Sequence, residues 1–152
     1  MPKSSRPDIS LTPDEQTAFL RENRKCALAT LEKDGFPHIV AMTYYEKDGA
    51  FWMTSYAKAQ KVLNIRRNPK FALMIESGDA YGELRGVMVR GTCELIEGPD
   101  AVEAVFTEMA RQRNPSEPRP QRPAAVTTKR VVLKVVPGKI FSWDHHKLGG
   151  RY

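Results

Sequence analysis

Two hydroxyls and two ammonium groups stand close together in the stretch Thr54-Ser55-Tyr56-Ala57-Lys58-Ala59-Gln60-Lys61. From Thr54 to Lys70 there is no acidic residue, while Lys58, Lys61, Arg66, Arg67 and Lys70 are basic. A helix starting near Lys58 would bring hydroxyls, free backbone N–H groups and ammonium groups to one place. That combination binds phosphate, because the donors and the helix dipole all favour negative charge. At about 100° per residue, Lys58 lies between the apolar Val62 and Ile65, so both lysines flank the inward side. The plainer reading is a solvated helix whose lysines extend their stems over apolar surface. Both readings stand at this point.

Other chemistries lack their residues. There is no G-x-G-x-x-G, no phosphate-cradling G-x-x-x-x-G-K loop and no G-x-S-x-G. His145 and His146 are adjacent and His38 is remote, so no metal centre is expected. No acid–base dyad is visible and no catalytic residue is assigned; Tyr44 and Tyr56 are proton donors by position alone. Arg85 and Arg90 are five residues apart in a strand-like run, which turns them to opposite faces as sheet-surface charges. Trp143 is costly to expose near a chain end, so it is expected to pack on something, with a partner subunit as one candidate.

The chain has 152 residues, enough for one domain with a sizeable core. Its net charge of +6 favours an anionic partner: nucleic acid, a membrane surface or a polyanionic small molecule. The basic residues are not interleaved with aromatics as a base-stacking surface requires, which disfavours nucleic acid. Cys26 and Cys93 lie in apolar surroundings without C-x-x-C spacing and read as buried thiols. Residues 1–10 are polar and carry two prolines, unlike a signal peptide. No apolar run approaches the ~18 residues of a membrane span. The expected compartment is the cytoplasm.

The elements that must position the basic run can be read along the chain. Residues 1–11 read as a disordered tail and 12–152 as a single domain. Thr12-Pro13-Asp14-Glu15 is a capping box that opens a helix to about Arg24. Strands follow at Cys26–Leu31, Phe36–Tyr45 and Ala50–Thr54, separated by two Asp-Gly turns that make a meander. In the second strand Ile39, Ala41 and Thr43 share one face and His38, Val40, Met42 and Tyr44 the other; both faces are expected to be covered. A short helix from Lys58 to Arg67 ends at Asn68-Pro69. Strands at Phe71–Glu76 and Glu83–Ile96 come next, with Gly86 and Gly91 marking bends. Gly98-Pro99-Asp100 opens a helix to Arg113 with Val102, Val105, Phe106 and Met109 inward. A Pro/Arg-rich loop precedes last strands at Lys129–Val136 and Lys139–Trp143. Sequential antiparallel strands with peripheral helices close most simply as a small barrel.

The order "CALATLEKDGFPHIVAMTY", "FWMTS", "KAQKVLNIRRNPK", "RGVMVRGTCEL" and "SWDHHKLGG" resembles the pyridoxamine 5'-phosphate oxidase-like flavoproteins. More narrowly it is similar to their actinobacterial branch, which uses the deazaflavin coenzyme F420. The resemblance spans about Thr12 to Gly150. It implies a mainly β fold, a six-stranded antiparallel split barrel of the FMN-binding type, assembled as a homodimer with cofactor sites at the subunit interface. It places the flavin ring along Ile39, Val40, Ala41 and Met42 and the phosphate on Thr54, Ser55, Lys58 and Lys61. Asn64 matches a position of the family, grouped here with the cofactor-binding residues and with a structural role as the alternative, and Trp143 is similar in place to partner residues that close such sites. The chain is shorter than true pyridoxamine phosphate oxidases and lacks their C-terminal Arg/His segment.

Coenzyme F420 carries a phosphate and a polyglutamate tail. The acid-free run and the loop arginines Arg111, Arg113, Arg119 and Arg122 suit such a polyanion better than FMN. The implied reaction is hydride transfer between the deazaflavin and an electron-poor small molecule of quinone, enone or tetrapyrrole type. The alternatives are an FMN-binding oxidase-like protein and a non-enzymatic flavin or F420 carrier.

Overall fold

A computed structural model describes residues 7–117 and 122–152. The chain forms α1 (Pro13–Glu22), β1 (Lys25–Leu31), β2 (Pro37–Thr43), β3 (Tyr45–Lys47) and β4 (Ala50–Tyr56). It continues through α2 (Gln60–Arg67), β5 (Lys70–Ser77), β6 (Arg85–Ile96), α3 (Pro99–Arg113), α4 (Ala124–Thr127) and β7 (Arg130–Asp144). Single 3-10 turns cover Tyr81–Glu83 and His145–Leu148.

Seven strands make one curled antiparallel sheet in the order β2-β1-β5-β6-β7-β4-β3. The split-barrel expectation holds, with one strand more than the six implied. The count equals the seven strands read along the chain, but two boundaries differ. The long second strand is interrupted at Tyr44, which separates β2 from the three-residue β3. The last two expected strands run as one, because the ladder to β6 passes over Pro137 and Gly138. A bulge at Arg90/Gly91 makes that passage possible. Gly91 is required there: a Cβ would collide with the carbonyl oxygen of Val136 on the neighbouring strand.

Both hairpins form at the expected turns. Asp48 and Gly49 have positive φ values of 55° and 76°, as a two-residue hairpin turn with matching twist demands. Thr12 caps α1 by accepting from the N–H of Glu15 at 3.2 Å. Two residues of the segment 1–11 are held against the sheet. Leu11 is buried, its N–H donates to Ser142 Oγ at 2.9 Å, and Ile9 O accepts from the Asp144 N–H at 2.7 Å.

The main core fills the inside of the curl. Leu28, Phe51, Met53, Leu73, Val87, Val89 and Leu133 are fully buried there, joined by Phe19 of α1 and Val62 and Ile65 of α2. Each such side chain stabilises by about 1.5–3 kcal/mol. A second cluster lies on the outer face of β3, β4 and β7, where Val102 and Val105 of α3 cover Tyr45, Val132 and Trp52. The rest of the outer face is open in the single chain: Ile39 is 68% exposed, and Ala41 and Met74 are exposed beside it. This differs from the expectation that β2 is covered on both faces, since helix α3 reaches only the other half of the sheet.

Cys26 and Cys93 are free and buried, and burial pushes both thiols up to about 12, so they are inert at neutral pH. Among the described residues no His, Cys, Asp and Glu side chains group as a metal site. No described helix is long and apolar enough to cross a membrane.

Candidate functional site

β2 and β3 are the end strands of the sheet and do not pair with each other, so the curl stays open between β2 and the β3–β4 hairpin. A cleft of about 300 Å³ lies in this split. Ala41, Met42 and Thr43 of β2 form one wall, Thr54 of β4 and Arg130 of β7 the floor, and α3 the other wall. Arg113 and Arg122 stand at its margin. No carboxylate or histidine is among the described residues lining it.

Strand alternation decides which sequence-expected residues meet here. Phe51, Met53 and Ser55 point into the core; Trp52, Thr54 and Tyr56 point out. Thr54 therefore reaches the cleft. Ser55 is buried on the opposite face and its hydroxyl donates to the carbonyl of Tyr56 at 3.3 Å.

The expected start of the second helix is corrected. α2 begins at Gln60, not Lys58, with Ala59 as an N-cap that makes no side-chain bond. The N–H of Ala57 still pairs with Lys129 O at 2.9 Å, prolonging the β4–β7 ladder past Tyr56. Thr54 and Ser55 thus end a strand rather than open a helix. Lys58 lies in the turn and is exposed, while Lys61 is half-buried in the first turn. Burial and the nearby Arg130 guanidinium both lower the pKa of Lys61, which marks it as part of the same basic cluster.

Asn64 is 0% exposed. Its amide donates to Thr30 Oγ1 at 3.0 Å and its oxygen accepts from Gln60 at 2.8 Å and from Arg67 at 3.4 Å. These bonds fix α2 on β1. Arg67 also donates to the carbonyl of Leu31. Trp143 lies across Gly86 of β6, where a Cβ would collide with the indole. Ile39 and Ala41 face outward on β2, and Val40 and Met42 pack against the main core. Tyr44 is committed elsewhere: its hydroxyl donates to Leu20 O at 2.8 Å, and burial raises its pKa.

Arg130 is the residue that sequence reasoning missed. It pairs across the sheet with Tyr56, and its guanidinium lies 4.2 Å from the Tyr56 ring centroid and 5.5 Å from that of Phe106. One Nη donates to Thr54 Oγ1 at 3.3 Å. Its Nε is buried and has no partner. A buried donor without an acceptor costs about 1–3 kcal/mol, and Arg130 also lines the cleft, where an anion would meet its guanidinium. Arg122 stacks on the other contact of Phe106, 4.0 Å from its centroid. Among the loop arginines, Arg113 and Arg122 reach the cleft. Arg111 turns away to Glu108 at 2.7 Å, and Arg119 lies outside the described residues.

A second cavity of about 280 Å³ adjoins the first, sharing Met109 and Arg113 with it and adding Arg21 and Arg24. The arrangement offers one hydroxyl, a sandwiched guanidinium and an ammonium for a first anion, with further cations leading away from it.

Comparison with known proteins agrees with this geometry. Residues 12–144 match the family described as pyridoxamine 5'-phosphate oxidase. The crystal structure of a conserved hypothetical protein from Mycobacterium tuberculosis is 34% identical, over 97% of this chain and 93% of that one, with a TM-score of 0.82. A structure described as an F420 reductase is 27% identical over 82% of this chain and 94% of that one, with a TM-score of 0.65. An FAD-binding protein from Mesorhizobium loti shares the fold at 20% identity, over 88% and 94%, with a TM-score of 0.66. No curated protein matches the chain.

Proposed function

The chain belongs to the pyridoxamine 5'-phosphate oxidase family, and from that premise we propose that it binds coenzyme F420 in the split and reduces an electron-poor small molecule. The single observation that carries this is the buried, unpartnered Nε of Arg130 beside Thr54 and Lys61. These residues fit a phosphate. Arg130 supplies a planar donor fork, Thr54 a hydroxyl, and Lys61 a charge whose lowered pKa an anion would restore.

F420 is favoured over FMN by the charge beyond the phosphate. Arg113 and Arg122 flank the cleft, and Arg21 and Arg24 line the adjoining cavity. These cations outnumber what one phosphate can engage, and a tail of carboxylates suits such a basic margin better. The likeness to an F420 reductase points the same way.

The bound deazaflavin would supply hydride transfer. The protein's own part is to position and enclose: the β2 edge from Ile39 to Met42 would align the ring, and the basic floor would hold the phosphate. No proton donor is assigned. Substrates of quinone, enone or tetrapyrrole type remain the proposed class. The absence of a titratable acid or base among the described lining residues also favours a second reading, a non-enzymatic F420 carrier. It predicts tight binding without turnover on a panel of those substrates.

The proposed assembly is a homodimer with the site at the interface, acting on small molecules rather than nucleic acid, in the cytoplasm. The uncovered Ile39, Met74 and Phe141 on the outer face support a partner there.

Titrating the lysine variants with F420 tests the clamp. Lys61→Ala is expected to lose roughly tenfold in affinity, as a charge-assisted bond of about 1.5 kcal/mol predicts. Lys58→Ala is expected to lose less, because exposed ion pairs contribute about 0–1 kcal/mol. Unchanged affinity in the double variant would reduce the basic run to a solvated surface.

A further inference from the structure

Arg122 and Arg130 stand at the two ends of the short stretch that carries α4, and both guanidiniums lie on one ring. Arg122 is 4.0 Å and Arg130 5.5 Å from the Phe106 centroid. Arg130 is fixed by its strand, since β7 pairs it with Tyr56 of β4. Arg122 belongs to no strand or helix. It precedes Pro123, which has no N–H to give, and α4 begins at Ala124. Its own N–H donates to Glu103 Oε1 on α3 at 3.3 Å.

Glu103 lies one turn before Phe106 on α3, so one stretch of helix supplies both the tether for the Arg122 backbone and the platform for its guanidinium. The other carboxylate oxygen, Oε2, is buried and has no partner. A buried acceptor without a donor costs about 1–3 kcal/mol, and an apolar side chain at this position would avoid that cost. The bond to Arg122 is what the carboxylate contributes. Its charge stays out of the cleft. Glu103 lines a groove of about 740 Å³ between α3 and the β3–β4 hairpin, and it is not among the described residues lining the cleft.

Charge alone and geometry give opposite signs for this residue. A carboxylate near a basic cleft repels a polyanion, so its removal would raise affinity. A carboxylate that stations a cation at the cleft strengthens binding, so its removal would lower affinity.

Resting on the reading of the split as the site of F420, we propose that Glu103 is a positioning residue that sets the charge preference of the cleft. By holding the Arg122 backbone it keeps that guanidinium on Phe106 at the cleft margin. Arg130, Thr54 and Lys61 serve the phosphate that F420 and FMN share. Arg122, through Glu103, serves the tail carboxylates that FMN lacks.

Titrating the full chain and its variants with F420 and with FMN tests the assignment. Glu103→Ala is expected to bind F420 roughly fivefold more weakly, the equivalent of about 1 kcal/mol, and to bind FMN within about twofold of the parent chain. Glu103→Gln keeps an acceptor oxygen for the Arg122 N–H and is expected to recover most of the F420 affinity. Arg122→Ala is expected to match Glu103→Ala, and the double variant to lose no more than either alone. Amide hydrogen exchange of residues 122–128 is expected to quicken in Glu103→Ala and not in Glu103→Gln. A rise in F420 affinity in Glu103→Gln, equal losses for FMN and F420, additive losses in the double variant, or unaltered exchange in Glu103→Ala overturns the proposal. A parent chain that binds neither cofactor refutes the reading of the split, and the exchange still decides the tether. A parent chain that prefers F420 while Glu103→Ala binds it unchanged refutes only the role of Glu103.

Discussion

Arg130→Ala is expected to weaken F420 binding by roughly 10- to 100-fold, the largest loss of any single change in the cleft, from removal of a charge-assisted contact of about 1.5–3 kcal/mol. Among the described residues lining the cleft, Arg130 combines a buried donor without a partner with a hydrogen bond to the Thr54 hydroxyl. Its plane is fixed between Tyr56 and Phe106, so little side-chain entropy is lost when an anion arrives. Arg130→Lys keeps the charge but loses the flat donor fork and the stacking, and is expected to recover only part of the affinity. Fluorescence quenching or calorimetry reads both. If Arg130→Ala binds as tightly as the parent chain, the anion site lies elsewhere.

The second large effect separates fold from function at Asn64. Asn64→Ala removes a fully buried amide that serves Thr30, Gln60 and Arg67 together. Leaving buried polar groups unmatched and opening a cavity is expected to cost about 3 kcal/mol. For a chain of this size that corresponds to a fall in Tm of roughly 6–12 °C by calorimetry. Below the transition, the affinity for cofactor is expected to stay within about threefold, an energy of roughly 0.6 kcal/mol. A large loss of affinity with unchanged Tm would make Asn64 a ligand contact instead of a pin.

Much of the architecture was legible because local chemistry specifies it. The two Asp-Gly turns set the hairpins, and the Thr12 to Glu15 box sets the first helix. The periodicity of Val102, Val105, Phe106 and Met109 marks the face of α3 that packs on the sheet. The start of α2 was not legible. Lys58 and Ala59 suit a helix by composition, but a backbone bond from Ala57 to Lys129, distant in the chain, holds this segment in the ladder. Thr54 does face the cleft, whereas Ser55 was grouped with it because a helix-start reading ignores strand alternation. Arg130 escaped notice because it meets Thr54 only through cross-strand pairing over a separation of 76 residues. A faint signal existed: Arg130 opens a strand that begins Val131-Val132-Leu133, where a charge needs an explanation. Phe106 read as core and is only partly so, its exposed part carrying Arg122 and Arg130. Asn64 gave no such signal, since at about 100° per residue it falls off the side shared by Val62 and Ile65, and its burial comes from the packing of α2 on β1.

The most direct test of the central claim is a paired titration of the purified full chain with coenzyme F420 and with FMN at physiological ionic strength. The account predicts saturable binding of both with F420 the tighter, and an F420 advantage that shrinks as salt rises, because the tail is held by partly exposed cations. Tighter binding of FMN, or no binding of either, would contradict it.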